Sequence, residues 1–127
     1  FWSDVKGMYG VDMTCMQSFA RSCIMGNEMA VNPVSQEDVL SFPVRFASIN
    51  LNSCTKEQID NLHGSFRFSC FGSSLMHGFA IWFSVTFPGE KKCCLSTSPY
   101  GEETHWKQTL LYLDEEVQVE QDTEITG

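Results

Sequence analysis

At 127 residues, with 43% hydrophobic and 13% aromatic content, the chain is too apolar to be disordered and long enough to bury roughly two thirds of its unfolded surface. That is one domain's worth of polypeptide, and no apolar run approaches the ~20 residues that span a bilayer, so a soluble globular protein with no membrane role is expected. Sixteen acidic residues against eight basic ones give a formal net charge of -8, which repels phosphate backbones and argues against direct nucleic-acid binding. The same charge suits a cationic partner, such as a basic peptide, or simply a surface kept soluble by like charge.

In chain order, residues 1–27 read as helical. Val11, Cys15, Phe19 and Cys23 fall four apart, Met16 and Ala20 lie beside them, and Gly26-Asn27 would end the pattern. Gly7 and Gly10 bracket Met8-Tyr9 and predict a break between two short helical pieces. From Met29 onward the period falls to two. Ser35 is placed to cap a short helix in "VSQEDVL", and Thr55 and Gln58 occupy capping-box positions in "TKEQIDNL". The remainder predicts strands at 44–51, 65–71, 78–87, 93–97, 106–113 and 117–123, separated by Gly64, Gly72, "PGE" at Pro88, "SPYG" at Ser98 and "DEE" at Asp114. Ile81, Phe83, Val85 and Phe87 alternate with Trp82, Ser84 and Thr86, so one face of that strand should be buried. The sum is a mainly β fold, an antiparallel barrel or sandwich preceded by a helical segment.

The six cysteines are an even count, yet Cys93 and Cys94 are adjacent, no C-x-x-C occurs and no leader pattern is evident. They are therefore expected to be reduced thiols, mostly small core residues, in a cytosolic or nuclear protein. The chain opens at Phe1-Trp2 and closes at Thr126-Gly127, and both ends read as cut from something longer.

Three constellations were weighed for chemistry. A cysteine nucleophile, Cys93 or Cys94, with His105 as base needs a cationic neighbour and exposure, and no nucleophile motif surrounds either thiol. Phosphate-cradling loops need closely spaced glycines, and the nine glycines never fall in that pattern; no metal-ligand spacing occurs either. The third is Thr104-His105-Trp106, which follows Glu102 and Glu103 at the mouth of an apolar strand. Two readings stand for it: a packed tryptophan beside a surface histidine, or a ring face, an imidazole and negative charge brought together to hold a guanidinium.

"THWKQTLLYL" at 104–113, "YGVDM" at 9–13 and "LSTSP" at 95–99, in this order and separation, resemble the C-terminal barrel of the protein arginine methyltransferases. "MHGFAIWFSVTFPG" and "VQVEQDTEITG" are similar to a vertebrate type I branch of that family. The resemblance covers nearly the whole chain and is weakest over 48–62. It implies an S-adenosylmethionine-dependent enzyme making mono- and asymmetric dimethylarginine on histones and other Arg-rich proteins, acting on chromatin and transcription in the nucleus. It also implies that residues 1–127 are the substrate-binding barrel, and that the cofactor domain with its two catalytic glutamates lies upstream. Neither a cofactor motif nor that glutamate hairpin occurs here, and the role is not carried onto Glu102-Glu103 or Glu115-Glu116.

By the same resemblance, His105 is an auxiliary catalytic group that orients a partner acid or helps the departing proton leave. Trp106, with Thr104 and Glu103, lines the pocket for the substrate arginine. Residues 6–27 match the arm through which such enzymes form head-to-tail homodimers, with Met8, Tyr9, Val11, Asp12, Met13 and Met16 as its contacts. With no partner to cover it, that patch should be sticky; the other reading is that the segment packs on its own barrel. The acidic run over 114–124 reads as part of a peptide track or as the solvated face of a strand. The rival from a different class is a non-enzymatic β-sandwich that binds basic peptides.

Overall fold

The computed structural model describes residues 2–26, 29–91 and 93–127. They form two compact units, one of Phe1–Val34 with His77–Glu116 and one of Ser35–Met76 with Val117–Gly127.

The first unit opens with helix α1 (Trp2–Tyr9), which runs through Gly7. The predicted break falls instead at Gly10, whose φ of +69° is a conformation that L side chains rarely adopt. A 3₁₀ turn at Thr14–Met16 then leads into α2 (Gln17–Met25), closed at Gly26 as its sequence suggests. Cys15, Phe19 and Cys23 follow the expected helical spacing, yet all three are exposed, so that stripe is not a core face.

Strand β1 (Met29–Asn32) pairs antiparallel with the start of a 12-residue strand, β6 (Gln108–Val119), from Met29 opposite Leu111 to Asn32 opposite Gln108. β6 is flanked on its other edge by β3 (Ser74–Ile81), giving the order β1-β6-β3. Gly78 is what lets β3 approach: a Cβ there would run into the Leu111 carbonyl. β4 (Ser84–Phe87) and β5 (Cys93–Ser96) form an antiparallel hairpin, with Ser84 opposite Ser96 and Phe87 opposite Cys93.

In the second unit, a 3₁₀ turn at Gln36–Asp38 is capped by the Ser35 hydroxyl, which accepts from Glu37 N. Helix α3 (Lys56–Asp60) carries the full capping box: Thr55 Oγ1 accepts from Gln58 N and Gln58 Oε1 accepts from Thr55 N. β2 (Arg67–Ser69) pairs antiparallel with β7 (Glu124–Thr126), and Cys70 extends the ladder by bonding backbone to backbone with Asp122 and Thr123. Cys70, Met76 and Val119 are the buried apolar side chains among the described residues, and all three belong to this unit.

The predominantly antiparallel β architecture agrees with the sequence reading, although no closed cylinder of strands links the three sheets among the described residues. Several elements differ. Residues 44–50 form no strand, and the chain turns at 51–53, with Asn50 accepting backbone bonds from Ser53 and Cys54. The predicted strands 106–113 and 117–123 are one continuous β6 beginning at Gln108; Asp114-Glu115-Glu116 lie within it, and the reversal comes later, at 120–123. The predicted strand 78–87 is broken at Trp82-Phe83, and Phe83 and Phe87 are exposed rather than buried. Of the six cysteines, all free, only Cys70 is buried and Cys54 half-buried; Cys15, Cys23, Cys93 and Cys94 face solvent, so most are not core residues.

Candidate functional site

The backbone of Thr104-His105-Trp106 is a tight turn, not the first residues of a strand. Lys107 N donates to Thr104 O at 3.1 Å, and Lys107 itself adopts φ 55° before the chain straightens into β6. This conformation turns His105 and Trp106 onto each other, with ring centroids 3.9 Å apart and planes inclined by 34°. Trp106 keeps 47% of its surface exposed, so its ring is available to a partner rather than sealed in a core.

Two devices hold that turn. The edge of the Phe83 ring meets Trp106 at 6.1 Å between centroids and 80° between planes. Beneath it lies a buried polar cluster. Thr97, 1% exposed, accepts from Phe83 N through its hydroxyl and donates back to Phe83 O, each at 3.1 Å. Gln108, 5% exposed, donates from Nε2 to Thr97 O at 2.7 Å and accepts from Val34 N at 2.8 Å. Buried amide and hydroxyl groups are costly unless bonded, and here both side chains are. The Thr97 hydroxyl takes the place of a backbone ladder bond at Phe83, which explains why the strand is interrupted there.

Beside the turn is a small cleft of about 100 Å³ lined by Pro33, Val34, Ser98, Pro99, Gly101, Glu103 and Gln108. Glu102, Glu103 and His105 are exposed at this end of the unit, whereas Thr104 is half-buried, with its Oγ1 inaccessible and without a hydrogen-bond partner. The structure therefore gathers Glu103, Thr104, His105 and Trp106 in one turn and adds Phe83, Thr97 and Gln108 behind it. Sequence reasoning missed these three; Gln108 and Thr97 fall inside the quoted segments, but their mutual bond joins residues eleven apart and has no local signature.

Neither thiol of the Cys93-Cys94 pair is joined to His105 by a hydrogen bond among the described residues, and Cys94 Sγ instead points to the Leu95 carbonyl at 3.7 Å. The cysteine-histidine dyad has no support in this geometry.

The second unit holds a wider cleft of about 790 Å³ around Asn50, Cys54, Gln58, Asn61 and His63. Several of its polar groups bond locally: Asn50 with Asn52 N, Gln58 in the capping box, Asn61 with Glu57 O, and His63 Nδ1 with Asn61 O at 2.9 Å.

In the helical segment Met8, Tyr9, Val11, Met13 and Met16 are all exposed, from 41% for Met13 to 72% for Tyr9. Phe19 at 62% and Ile24 at 57% extend the apolar surface along α2. Asp12 acts locally, its carboxylate accepting from Lys6 Nζ at 2.8 Å, from Thr14 Oγ1 at 2.6 Å and from Thr14 N at 3.0 Å. Those bonds, the Lys6 one foremost, hold its pKa down to about 2.

A family model described as "Arginine methyltransferase oligomerization subdomain" matches residues 1–127, and the chain belongs to that family. It is 84% identical over 127 residues to "Protein arginine N-methyltransferase 6" of Xenopus tropicalis, and 59% identical over 128 residues to the protein of the same name from Danio rerio. Each alignment takes in 100% of this chain and 37% of the relative, so the chain spans a little over a third of those proteins. Among solved structures, "Trypanosoma brucei PRMT1 enzyme-prozyme heterotetrameric complex with AdoHcy" shares the fold with a TM-score of 0.74 at 20% identity, over 98% of this chain and 38% of that one. The crystal structure of Arabidopsis thaliana protein arginine methyltransferase 10 gives 0.72 at 20% identity, over 99% and 39%.

Proposed function

We propose that this chain is the acceptor-side and assembly portion of an S-adenosylmethionine-dependent type I protein arginine methyltransferase. The full-length enzyme makes mono- and asymmetric dimethylarginine on histones and other Arg-rich proteins in the nucleus. The observation that carries the reading is the close, tilted His105-Trp106 ring pair, exposed beside Glu102 and Glu103, in a chain matched end to end by the family model.

The chemistry accounts for the residue types. An arginine guanidinium stays protonated in water, so methylation requires that one nitrogen be aimed and made nucleophilic in a site cleared of solvent. Trp106 supplies a flat wall on which a guanidinium can lie by cation–π attraction, and Glu103 adds negative charge at the rim. His105, beside the Trp106 ring, orients an acid of the remaining polypeptide or carries away the proton lost from the guanidinium. S-adenosylmethionine supplies the methyl group as an electrophilic sulfonium substituent, and this reading assigns its binding to the remainder of the enzyme.

The exposed helical segment serves assembly. Met8, Tyr9, Val11, Met13 and Met16 present a methionine-rich apolar surface of the kind that closes against a second subunit, giving a homodimer. Asp12 shapes the bend between α1 and α2 that presents it.

The test is mass spectrometry of a histone-tail peptide after incubation with S-adenosylmethionine and either the full-length protein or residues 1–127 alone. Asymmetric dimethylarginine from the first and none from the second is the expected result. An unmodified peptide in both tubes, together with binding of the peptide to residues 1–127, would replace this reading with a basic-peptide module, which the net charge of -8 also suits.

A further inference from the structure

We infer that Thr97 is a positioning residue for the acceptor wall, setting the Trp106 ring from two directions through Phe83 and Gln108; this rests on the acceptor-pocket reading above. Thr97 is 1% exposed and lies nine residues before Trp106, yet it has no part in the turn that carries the ring. Its hydroxyl closes a two-way bond with Phe83 N and Phe83 O, and its own N–H donates to that same carbonyl at 3.0 Å. Phe83 is thereby fixed at the break between β3 and β4, where no backbone ladder holds its N–H. Its ring, 44% exposed and so not gripped by a core, is placed by that backbone anchor against the edge of Trp106.

The second route runs through Gln108, two residues after Trp106. Its amide spans from Thr97 O to Val34 N, which pins the start of β6 and hence the exit of the turn. One buried side chain and its own carbonyl thus set both the neighbour of the Trp106 ring and the backbone that follows it. Removing the hydroxyl alone frees the Phe83 N–H and loosens the first route while leaving the second in place.

The conservative pair is Thr97→Val, which keeps the shape and loses the hydroxyl, and Thr97→Ser, which keeps the hydroxyl. Phe83→Leu removes the aromatic edge at an exposed position and folds even if the valine variant does not. In the full-length enzyme labelled with 5-fluorotryptophan, the Trp106 resonance, assigned with Trp106→Phe, should shift or broaden in Thr97→Val and Phe83→Leu and hold in Thr97→Ser. The kcat/KM for a histone-tail peptide should fall about tenfold in the first two, the scale of a misplaced positioning group, with the S-adenosylmethionine Kd unchanged. Thr97→Ser should restore it.

An unmoved Trp106 resonance in both variants would overturn the inference. So would a moved resonance with unchanged peptide kinetics in an enzyme that Trp106→Ala cripples, or an equal loss of cofactor binding. If Trp106→Ala itself leaves peptide kinetics intact, the acceptor-pocket reading is what fails, and the resonance alone then decides whether Thr97 positions the ring.

Discussion

The carboxylate of Glu116, on β6, pairs with the guanidinium of Arg21, on α2, and His77 Nε2 of β3 lies 3.7 Å from the same oxygen. Arg21 thus links α2 by charge to the sheet of the first unit. The side chains are 45% and 32% exposed, so the pair is neither a freely solvated ion pair nor a buried one. A contribution of about 1 kcal/mol, the upper end for exposed pairs, is reasonable. In the full-length protein, Arg21→Glu or Glu116→Arg should each loosen α2, seen as faster amide hydrogen exchange across Gln17–Met25, and the double exchange should recover much of the loss. Recovery will be incomplete, because an arginine at 116 faces His77. Additive single effects, with no recovery in the double variant, would show that the pair does not hold the arm.

Asp12 gives the arm its pH dependence. Its pKa is lowered from 3.8 to about 2 by Lys6 and then Thr14, so the folded state binds its proton more weakly than the unfolded state. The stabilisation from this group is therefore fully present above about 3.8 and is lost as pH falls towards 2. The carboxyl carbon of Asp12, followed by NMR, should titrate near 2, and in Asp12→Asn the bend between α1 and α2 should exchange its amides faster at pH 5 with little change at pH 2. A midpoint near 3.8 would mean that Lys6 and Thr14 do not engage the carboxylate in solution.

Where the sequence could be read and where it could not follows the range of the interactions. The capping box of Thr55 and Gln58 and the Ser35 cap are contained within four residues, and both form as expected. The close of α2 at Gly26 is equally local. Asp114-Glu115-Glu116 suggested a turn because consecutive acids are poor strand formers, but Glu116 forms an ion pair with Arg21 from ninety-five positions away, and the strand continues through it. The break at Phe83 depends on Thr97, fourteen residues on, and the alternating pattern of residues 81–87 gave no warning of it. The turn at 104–107 was visible as a motif, while what steadies it, the Thr97 to Gln108 bond, is a tertiary fact.

Gly78 offers a steric test of the β3 to β6 approach. An added methyl would meet the Leu111 carbonyl and the neighbouring Tyr112 Cα, both backbone atoms with no side-chain freedom to yield. Gly78→Ala should cost about 1–3 kcal/mol, the usual range for overpacking, and lower the denaturation midpoint of the full-length protein. Gly72→Ala is the control, since nothing lies within 4 Å of a Cβ there. Equal stability of the two variants would contradict the close approach of these strands.

The rings of His105 and Trp106 lie in close tilted contact, so replacing either one alters the other's surroundings, and the two alanine variants should resemble each other more than separate roles would suggest. The proposed function assigns both rings to the acceptor rather than the methyl donor. In the full-length enzyme His105→Ala and Trp106→Ala should each lower peptide kcat/KM by about 10²-fold, the scale of a lost acid-base or positioning group, while the S-adenosylmethionine Kd from calorimetric titration stays within about twofold. The effects should be less than additive in the double variant, because the first substitution already removes the ring partner of the second. Loss of cofactor binding in step with turnover would move these residues away from the acceptor side. A saturable heat signal from residues 1–127 with S-adenosylmethionine would go further and place the cofactor within this chain.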